Sequence, residues 1–165
     1  MNMATHYKGD RATVQALNAY INLIRASDSV ARRAAAHLEP SGLTMGQFGV
    51  LEALLHLGPL CQHALAEKLL RSGGNITLVV DNLEKHGWVR RERQKDDRRM
   101  IRIHLTPTGR RLIEHVFPEH ARAVAEQMGA LSPAELETLR RLARKLGRAA
   151  EQTNTQQNLK ENQHD

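Results

Sequence analysis

The feature that most constrains the fold of this chain is a change in hydrophobic period at Gly87. Before it, apolar residues recur at helical spacing, which predicts two short amphipathic helices over residues 62–70 and 74–86. After it, strand-forming residues occupy 88–93, and apolar and polar residues alternate over 101–105, which predicts a hairpin. Helix, turn, helix and β-ribbon in this order are typical of a winged helix-turn-helix.

The basic residues of the chain are concentrated in the same stretch. Residues 71–111 contain eleven Lys and Arg against five Asp and Glu, a net charge of +6. The whole chain is also +6 at pH 7, with a pI near 10.0. A basic stripe along a helix-turn-helix and its wing is the electrostatic footprint of phosphate binding, so double-stranded DNA is the expected partner.

Helices are predicted on both sides of this motif, giving a mainly α fold with a small β-hairpin wing (α+β). We divide the chain into a flexible N-terminal arm (1–10), a dimerisation helix (11–40), the winged helix-turn-helix domain (41–108), C-terminal dimerisation helices (109–151) and a disordered tail (152–165). The tail is assigned from its Gln- and Asn-rich composition.

Helix starts are marked by local capping signals. Thr44 with Gln47, and Ser132 with Glu135, have the spacing of a capping box. Inside the helix that follows the wing, Pro118 predicts a kink or a break.

The terminal helices carry apolar stripes that a compact winged domain does not need for its own core. The stripe residues are Val14, Leu17, Ile21 and Ile24 near the start, and Leu136, Leu139, Leu142, Ala143 and Leu146 near the end. Such faces predict a homodimer. A two-fold dimer presents two recognition helices ~34–36 Å apart and so reads a pseudo-palindrome.

Composition excludes several other classes of protein. The single cysteine, Cys61, rules out an intramolecular disulfide framework, and the lack of a long apolar run predicts a cytoplasmic protein without a membrane segment. No nucleophile motif, paired-carboxylate signature or phosphate-binding glycine loop is present, so we expect neither an enzyme nor a cofactor. His115 and His120 lie on different helix faces, which argues against a metal site.

The order of elements and several motifs together resemble the MarR family of bacterial transcription regulators. The matching segments are 43–51, 65–69, 75–91, 97–99 and 105–109, and the resemblance covers roughly 11–150. It implies a triangular homodimer that binds a palindromic operator, usually as a repressor, and is released by a small aromatic or phenolic ligand or by cysteine oxidation. Gln94 departs from the acidic residue that many members have there.

The resemblance also implies which residues meet DNA. On the recognition helix and at its start these are Ser72, Gly74, Asn75, Thr77, Leu78 and Asn82; at the wing tip they are Arg98 and Arg99; near phosphates they are Gln47, Gln62 and His63. Short hydrogen-bonding side chains suit base edges or phosphates, and an arginine at a β-turn tip can enter a narrow minor groove.

A ligand cleft between the dimer helices and the winged domain is a further implication. Its expected lining is Ile24, Arg25, Phe48, His56 and Phe117. The simpler interpretation of Cys61 is a small apolar side chain at a helix–helix junction, and a redox-responsive regulator is the alternative.

Two other functions stay open at this point. A non-specific architectural DNA-binding protein would bind scrambled duplexes as well as any operator, with an affinity dominated by salt. A protein-interaction module that has lost DNA binding would show neither property.

Overall fold

The computed structural model describes residues 5–69, 73–93 and 101–161, with side chains up to residue 150. In chain order the elements are α1 (Arg11–Ala35), a 3₁₀ turn (Ala36–Ser41), α2 (Met45–Leu57), β1 (Leu60–Cys61), α3 (Gln62–Lys68), α4 (Gly73–Lys85), β2 (Val89–Arg93), β3 (Ile101–Leu105), α5 (Pro107–Met128) and α6 (Pro133–Glu161). The chain divides into two compact units between Ala125 and Glu126. The mainly helical fold with a small sheet is therefore confirmed.

The sheet has three antiparallel strands in the order β1, β3, β2. Arg91 of β2 pairs with Ile103 of β3, and Cys61 of β1 pairs with Arg102 on the other edge of β3. The predicted hairpin is present, whereas β1 was missed because a two-residue strand is too short to show alternation. Cys61 accordingly lies at a strand–helix junction, and the expected helix–helix junction is wrong.

The core of the first unit lies between α2, α4 and the inner face of the sheet. Its largest fully buried side chains are Phe48, Val50, Leu51 and Leu54 of α2, Leu65 of α3, Ile76, Val80 and Leu83 of α4, Val89 and Ile103 of the sheet, and Ile113 of α5. The helical and strand periods of the sequence therefore predicted which faces are buried.

Both predicted capping boxes are confirmed. The Gln47 N–H donates to Thr44 Oγ1 (3.2 Å), and the Thr44 N–H donates to Gln47 Oε1 (2.9 Å). At the start of α6 the Ser132 N–H donates to Glu135 Oε2 (2.8 Å), and the Glu135 N–H donates to Ser132 Oγ (3.4 Å). Each box satisfies backbone donors that have no partner within the helix.

α4 ends as the position of Gly87 predicts. Gly87 has φ +69°, its N–H donates to the Glu84 carbonyl (2.9 Å), and the Trp88 N–H donates to the Leu83 carbonyl (3.0 Å). This pair of bonds is a Schellman motif. It turns the chain directly into β2.

α5 packs unusually closely on that turn. Thr106 Oγ1 donates to the Gly87 carbonyl (2.7 Å) and accepts from the Gly109 N–H (3.0 Å). A Cβ added at Gly109 would lie 1.9 Å from the carbonyl oxygen of Trp88. The contact between α5 and the end of α4 therefore requires glycine at position 109.

The helix bounds correct several sequence predictions. α1 ends at Ala35 and is followed by the 3₁₀ turn, and α3 ends at Lys68. Before α1, the Thr5 N–H donates to Asn18 Oδ1 of that helix (2.6 Å). α5 runs without a break through Pro118, which is exposed and has no N–H to donate to the carbonyl of Glu114.

The tail that was predicted to be disordered is helical up to Glu161, where α6 ends. Gln, Glu and Lys are good helix formers, and extending an existing helix fixes only one residue for each new hydrogen bond. Residues 162–165 lie outside the described range. Among the described residues no helix, α6 included, is long and apolar enough to cross a bilayer.

Candidate nucleic-acid interface

The first two turns of α4 present a polar face away from the core. Ile76, on the opposite side of the helix, is fully buried, which turns its neighbours outward. Four of the predicted DNA contacts are exposed there: Gly74, Asn75, Thr77 and Leu78. Leu78 is 63% exposed although it is apolar. An exposed leucine among short polar residues at a helix start is suited to contact with another molecule.

The start of α4 is open as well as exposed. A Cβ added at Gly74 would meet no atom within 4 Å, so packing within the described protein does not require glycine there. The N-terminus of a helix carries partial positive charge and backbone N–H groups without intrahelical partners. This end of α4 therefore suits an anion such as a phosphate.

α3 contributes two of the expected phosphate contacts at the edge of this face. Gln62, the first residue of α3, donates from Nε2 to Thr77 Oγ1 across a distance of 3.1 Å. His63 is strongly exposed, and its Nε2 lies 3.2 Å from Glu67 Oε1 one turn later.

Gln47 corrects the sequence prediction. It is only 9% exposed, and its side-chain oxygen is taken up by the capping box of α2. Two roles were predicted for Gln47, as part of a helix cap and as a phosphate contact. Its buried position agrees with the cap alone.

An ion-pair cluster attaches the wing to α4. Arg91 of β2 contacts two carboxylates on α4: Nη2 donates to Asp81 Oδ1 (2.5 Å), and Nη1 donates to Glu84 Oε2. The Arg91 backbone N–H also donates to Glu84 Oε1 (2.9 Å). Burial alone would lower the pKa of Arg91, but the hydrogen bonds to Asp81 and Glu84 outweigh it and raise the pKa above its ordinary value.

The outer face of the sheet carries a different set of charges. Arg90 is paired with Glu92 on the same strand, and His104 Nε2 lies 3.7 Å from the same carboxylate. Because strand residues alternate faces, Arg90 points away from α4 while Arg91 points toward it. The two adjacent arginines therefore have different partners, and the sequence alone could not show which of them contacts α4.

Four residues of the predicted interface or wing fall on parts of the chain outside the described residues. They are Ser72, Gln94, Arg98 and Arg99. Asn82 is half-buried on the third turn of α4, and its backbone carbonyl lies 2.7 Å from His86 Nδ1. The His86 ring in turn stacks on Trp88, with centroids 4.6 Å apart.

The residues expected to line a ligand cleft are only partly brought together. His56 of α2 and Phe117 of α5 are in ring contact, with centroids 4.7 Å apart. Ile24 and Arg25 are exposed on α1, whereas Phe48 is 1% exposed and belongs to the core.

Around Phe48 the structure assembles a histidine pair that the sequence analysis missed. His120 of α5 lies 4.3 Å from the Phe48 ring and 4.9 Å from that of His37, measured between centroids. Both His37 nitrogens and His120 Nδ1 are buried without a hydrogen-bond partner. Burial lowers the pKa of His120 below its ordinary value and His37 lowers it further, against the opposing effects of Glu52 and the Ala34 backbone.

Two helices also leave large apolar side chains in solvent. On α1 these are Tyr20, Leu23 and Ile24, and on α6 they are Leu139, Leu142 and Leu146. On α6 the predicted stripe is exposed at Leu139, Leu142 and Leu146. On α1 only Ile24 of the predicted stripe is exposed, and Val14, Leu17 and Ile21 are half-buried.

Comparisons with known proteins agree with this geometry. The model of the MarR family matches residues 43–101. The HTH-type transcriptional regulator YkoM of Bacillus subtilis is 34% identical over 133 residues, which cover 81% of this chain and 86% of YkoM. The HTH-type transcriptional repressor MdtR of the same organism is 31% identical over 123 residues, which cover 74% of this chain and 79% of MdtR.

A solved structure shows the same fold. The MarR family regulator Sco3205 of Streptomyces coelicolor, in complex with DNA, superposes with a TM-score of 0.76 over 87% of this chain and 91% of its own. Its sequence is 24% identical, so this likeness is one of fold.

Proposed function

This chain belongs to the MarR family of DNA-binding transcriptional regulators, and we propose that it acts as a homodimeric repressor. In this proposal it binds a pseudo-palindromic operator and is released by a small aromatic or phenolic ligand. The repressor role is supported by the likeness to MdtR, and DNA binding by a fold shared with the DNA complex of Sco3205.

The observation that carries the proposal is the exposed face at the start of α4. Asn75 and Thr77 offer short hydrogen-bonding groups for base edges or phosphates, Leu78 offers a contact for a thymine methyl, and Gly74 lets the backbone come close. Gln62, His63 and Asn82 complete the interface at its margins, and Arg98 and Arg99 at the wing and Ser72 before α4 remain predicted contacts. Gln47 is left out because it is buried in its cap.

Dimerisation is supported by the exposed apolar side chains of α1 and by the exposed stripe of α6. Tyr20 on α1 and Leu146 on α6 are both more than half exposed, although soluble chains usually cover side chains of this size. A second copy of the chain is the occupant we propose for these exposed side chains. The two-fold axis of such a dimer sets two α4 helices one duplex turn apart.

Ligand release is supported by the ring pair of His56 and Phe117. Its partly exposed aromatic surface can stack on a flat aromatic ligand, and Arg25 on α1 remains a predicted contact for a phenolate or carboxylate. Trp88 is the only tryptophan of the chain and lies at the junction of α4 and β2. Its fluorescence is therefore a direct probe of whether a ligand changes the DNA-binding unit.

The test is a fluorescence-anisotropy titration with two duplexes at one fixed, near-physiological salt concentration. One duplex is enriched by the protein from a randomised pool, and the other is the same composition scrambled. We expect the enriched duplex to bind about 10³-fold more tightly or better. It should also contain half-sites separated by about 10 base pairs.

Equal binding of both duplexes, with an affinity that follows only the salt concentration, would identify a non-specific architectural protein instead. Binding of neither duplex would leave the protein-interaction module. If a panel of phenols and aromatic carboxylates leaves both the anisotropy and the Trp88 emission unchanged, the ligand-release part of the proposal fails while operator binding stands.

A further inference from the structure

The hydrogen bond between Gln62 and Thr77 joins the beginning of α3 to the exposed face of α4. Gln62 Nε2 donates to Thr77 Oγ1 over 3.1 Å, between residues fifteen positions apart in the chain. It is a side-chain contact from another helix to the outward-facing polar surface at the start of α4. Its geometry depends on how α3 is held.

α3 is held at this point by the sheet. Cys61, directly before Gln62, pairs with Arg102 of β3, and Leu65 one turn later is fully buried. The backbone of Gln62 is therefore anchored on both sides. A side chain that leaves from such an anchored position can fix the side chain it touches.

The orientation of the Thr77 hydroxyl depends on its χ1 rotamer. Threonine in a helix divides between two χ1 rotamers, because its hydroxyl can also bond a carbonyl of the preceding turn. A threonine that changes rotamer presents its hydroxyl in two directions, and base recognition requires one. A donor from outside the helix removes this ambiguity by favouring the rotamer that it can reach.

Gln62 also keeps hydrogen-bonding capacity beyond this contact. Its amide has two N–H donors and an accepting oxygen, and Thr77 uses one N–H. The same amide can therefore touch a phosphate and hold Thr77 at once.

We propose that Gln62 is a positioning residue for sequence discrimination, which holds Thr77 in the rotamer that meets the base edges. This inference rests on the proposed function as an operator-binding regulator. It assigns Gln62 a second role beside the phosphate contact, and the two roles have different signatures. Loss of a phosphate contact weakens binding to every duplex, whereas loss of positioning weakens binding to the selected duplex alone.

The experiment is a double-mutant cycle with Gln62→Ala and Thr77→Val, using the selected and scrambled duplexes described above. We expect each single variant to lose about three- to tenfold in the ratio of the two affinities. The double variant should lose no more than Thr77→Val alone, because Gln62 discriminates only through Thr77. Melting temperatures measured without DNA should be alike, since Thr77 and the Gln62 amide are on the surface.

A third variant separates charge from positioning. Gln62→Lys keeps an N–H donor for Thr77 Oγ1 and adds a positive charge that attracts phosphate, so it should raise both affinities and keep their ratio. If Gln62→Ala lowers both affinities equally, or if the losses of the two single variants add, the inference is overturned while operator binding stands. If the wild-type protein does not distinguish the two duplexes, the proposed function fails and the inference fails with it.

Discussion

The most informative stability test is the removal of the charge that joins the wing to the recognition helix. In Arg91→Met the side chain keeps an unbranched apolar stem, but the two hydrogen bonds from its guanidinium to Asp81 and Glu84 disappear. The matched control is Arg90→Met on the adjacent residue. Arg90 also has a carboxylate partner, Glu92, but on the outer face of the sheet.

The expected size of the effect follows from burial. The Arg91 side chain is 24% exposed, while its partners Asp81 and Glu84 are 43% and 38% exposed. A hydrogen bond between charged groups contributes about 1.5–3 kcal/mol when shielded, whereas an exposed ion pair contributes about 0–1 kcal/mol. Because both carboxylates can regain water, we expect Arg91→Met to cost about 1–3 kcal/mol, and Arg90→Met less than about 1 kcal/mol.

The assay is thermal unfolding followed by circular dichroism at one fixed protein concentration, which matters for a chain that we propose is a dimer. A domain of this size shifts by about 2–4 °C per kcal/mol, so Arg91→Met should melt roughly 2–12 °C below the wild type. It should also weaken binding to the selected duplex, because the wing is no longer held against α4. Equal melting temperatures for Arg91→Met and Arg90→Met would refute the reasoning.

Three further predictions concern other parts of the chain. Gly109→Ala should destabilise the fold by about 3 kcal/mol or more in urea unfolding, because its Cβ would meet the Trp88 carbonyl, while Gly147→Ala, in open space on α6, should be neutral or stabilising. Burial and the neighbouring His37 lower the pKa of His120, so the wild type should lose stability as the pH falls below about 6.5. Urea unfolding should show that His120→Phe loses less stability over the same pH range. An equal loss in both proteins would contradict the assignment. Leu142→Gln should shift the sedimentation equilibrium toward monomer and Arg144→Gln should not; a stable dimer in both variants would remove α6 from the proposed interface.

The sequence by itself determined the features that depend on residues three or four positions apart. The capping boxes at Thr44 and Ser132, the end of α4 at Gly87 and the buried face of α4 were all predicted from local spacing. Each of these features depends on hydrogen bonds or packing between residues within one or two helical turns, so the residues that determine it are close together in the sequence.

Local signals were also overridden in two places. A capping box and a phosphate contact competed for Gln47, and burial against the core decided for the cap. The polar composition after Gln152 predicted disorder, but the same residue types are compatible with a helix, and α6 continues through them. The composition of this segment shows that it has little apolar surface to bury. Its conformation also depends on α6, the helix that it extends.

Only the tertiary structure decided which distant side chains become partners. No spacing in the sequence distinguishes Arg91, which binds α4, from Arg90, which faces outward. No spacing in the sequence predicts the contact between His120 and His37 or the one between Gln62 and Thr77. Such contacts depend on the register of the strands and on the packing of helices that are far apart in the chain. They are set by the whole core, and the specificity and pH response predicted here depend on them.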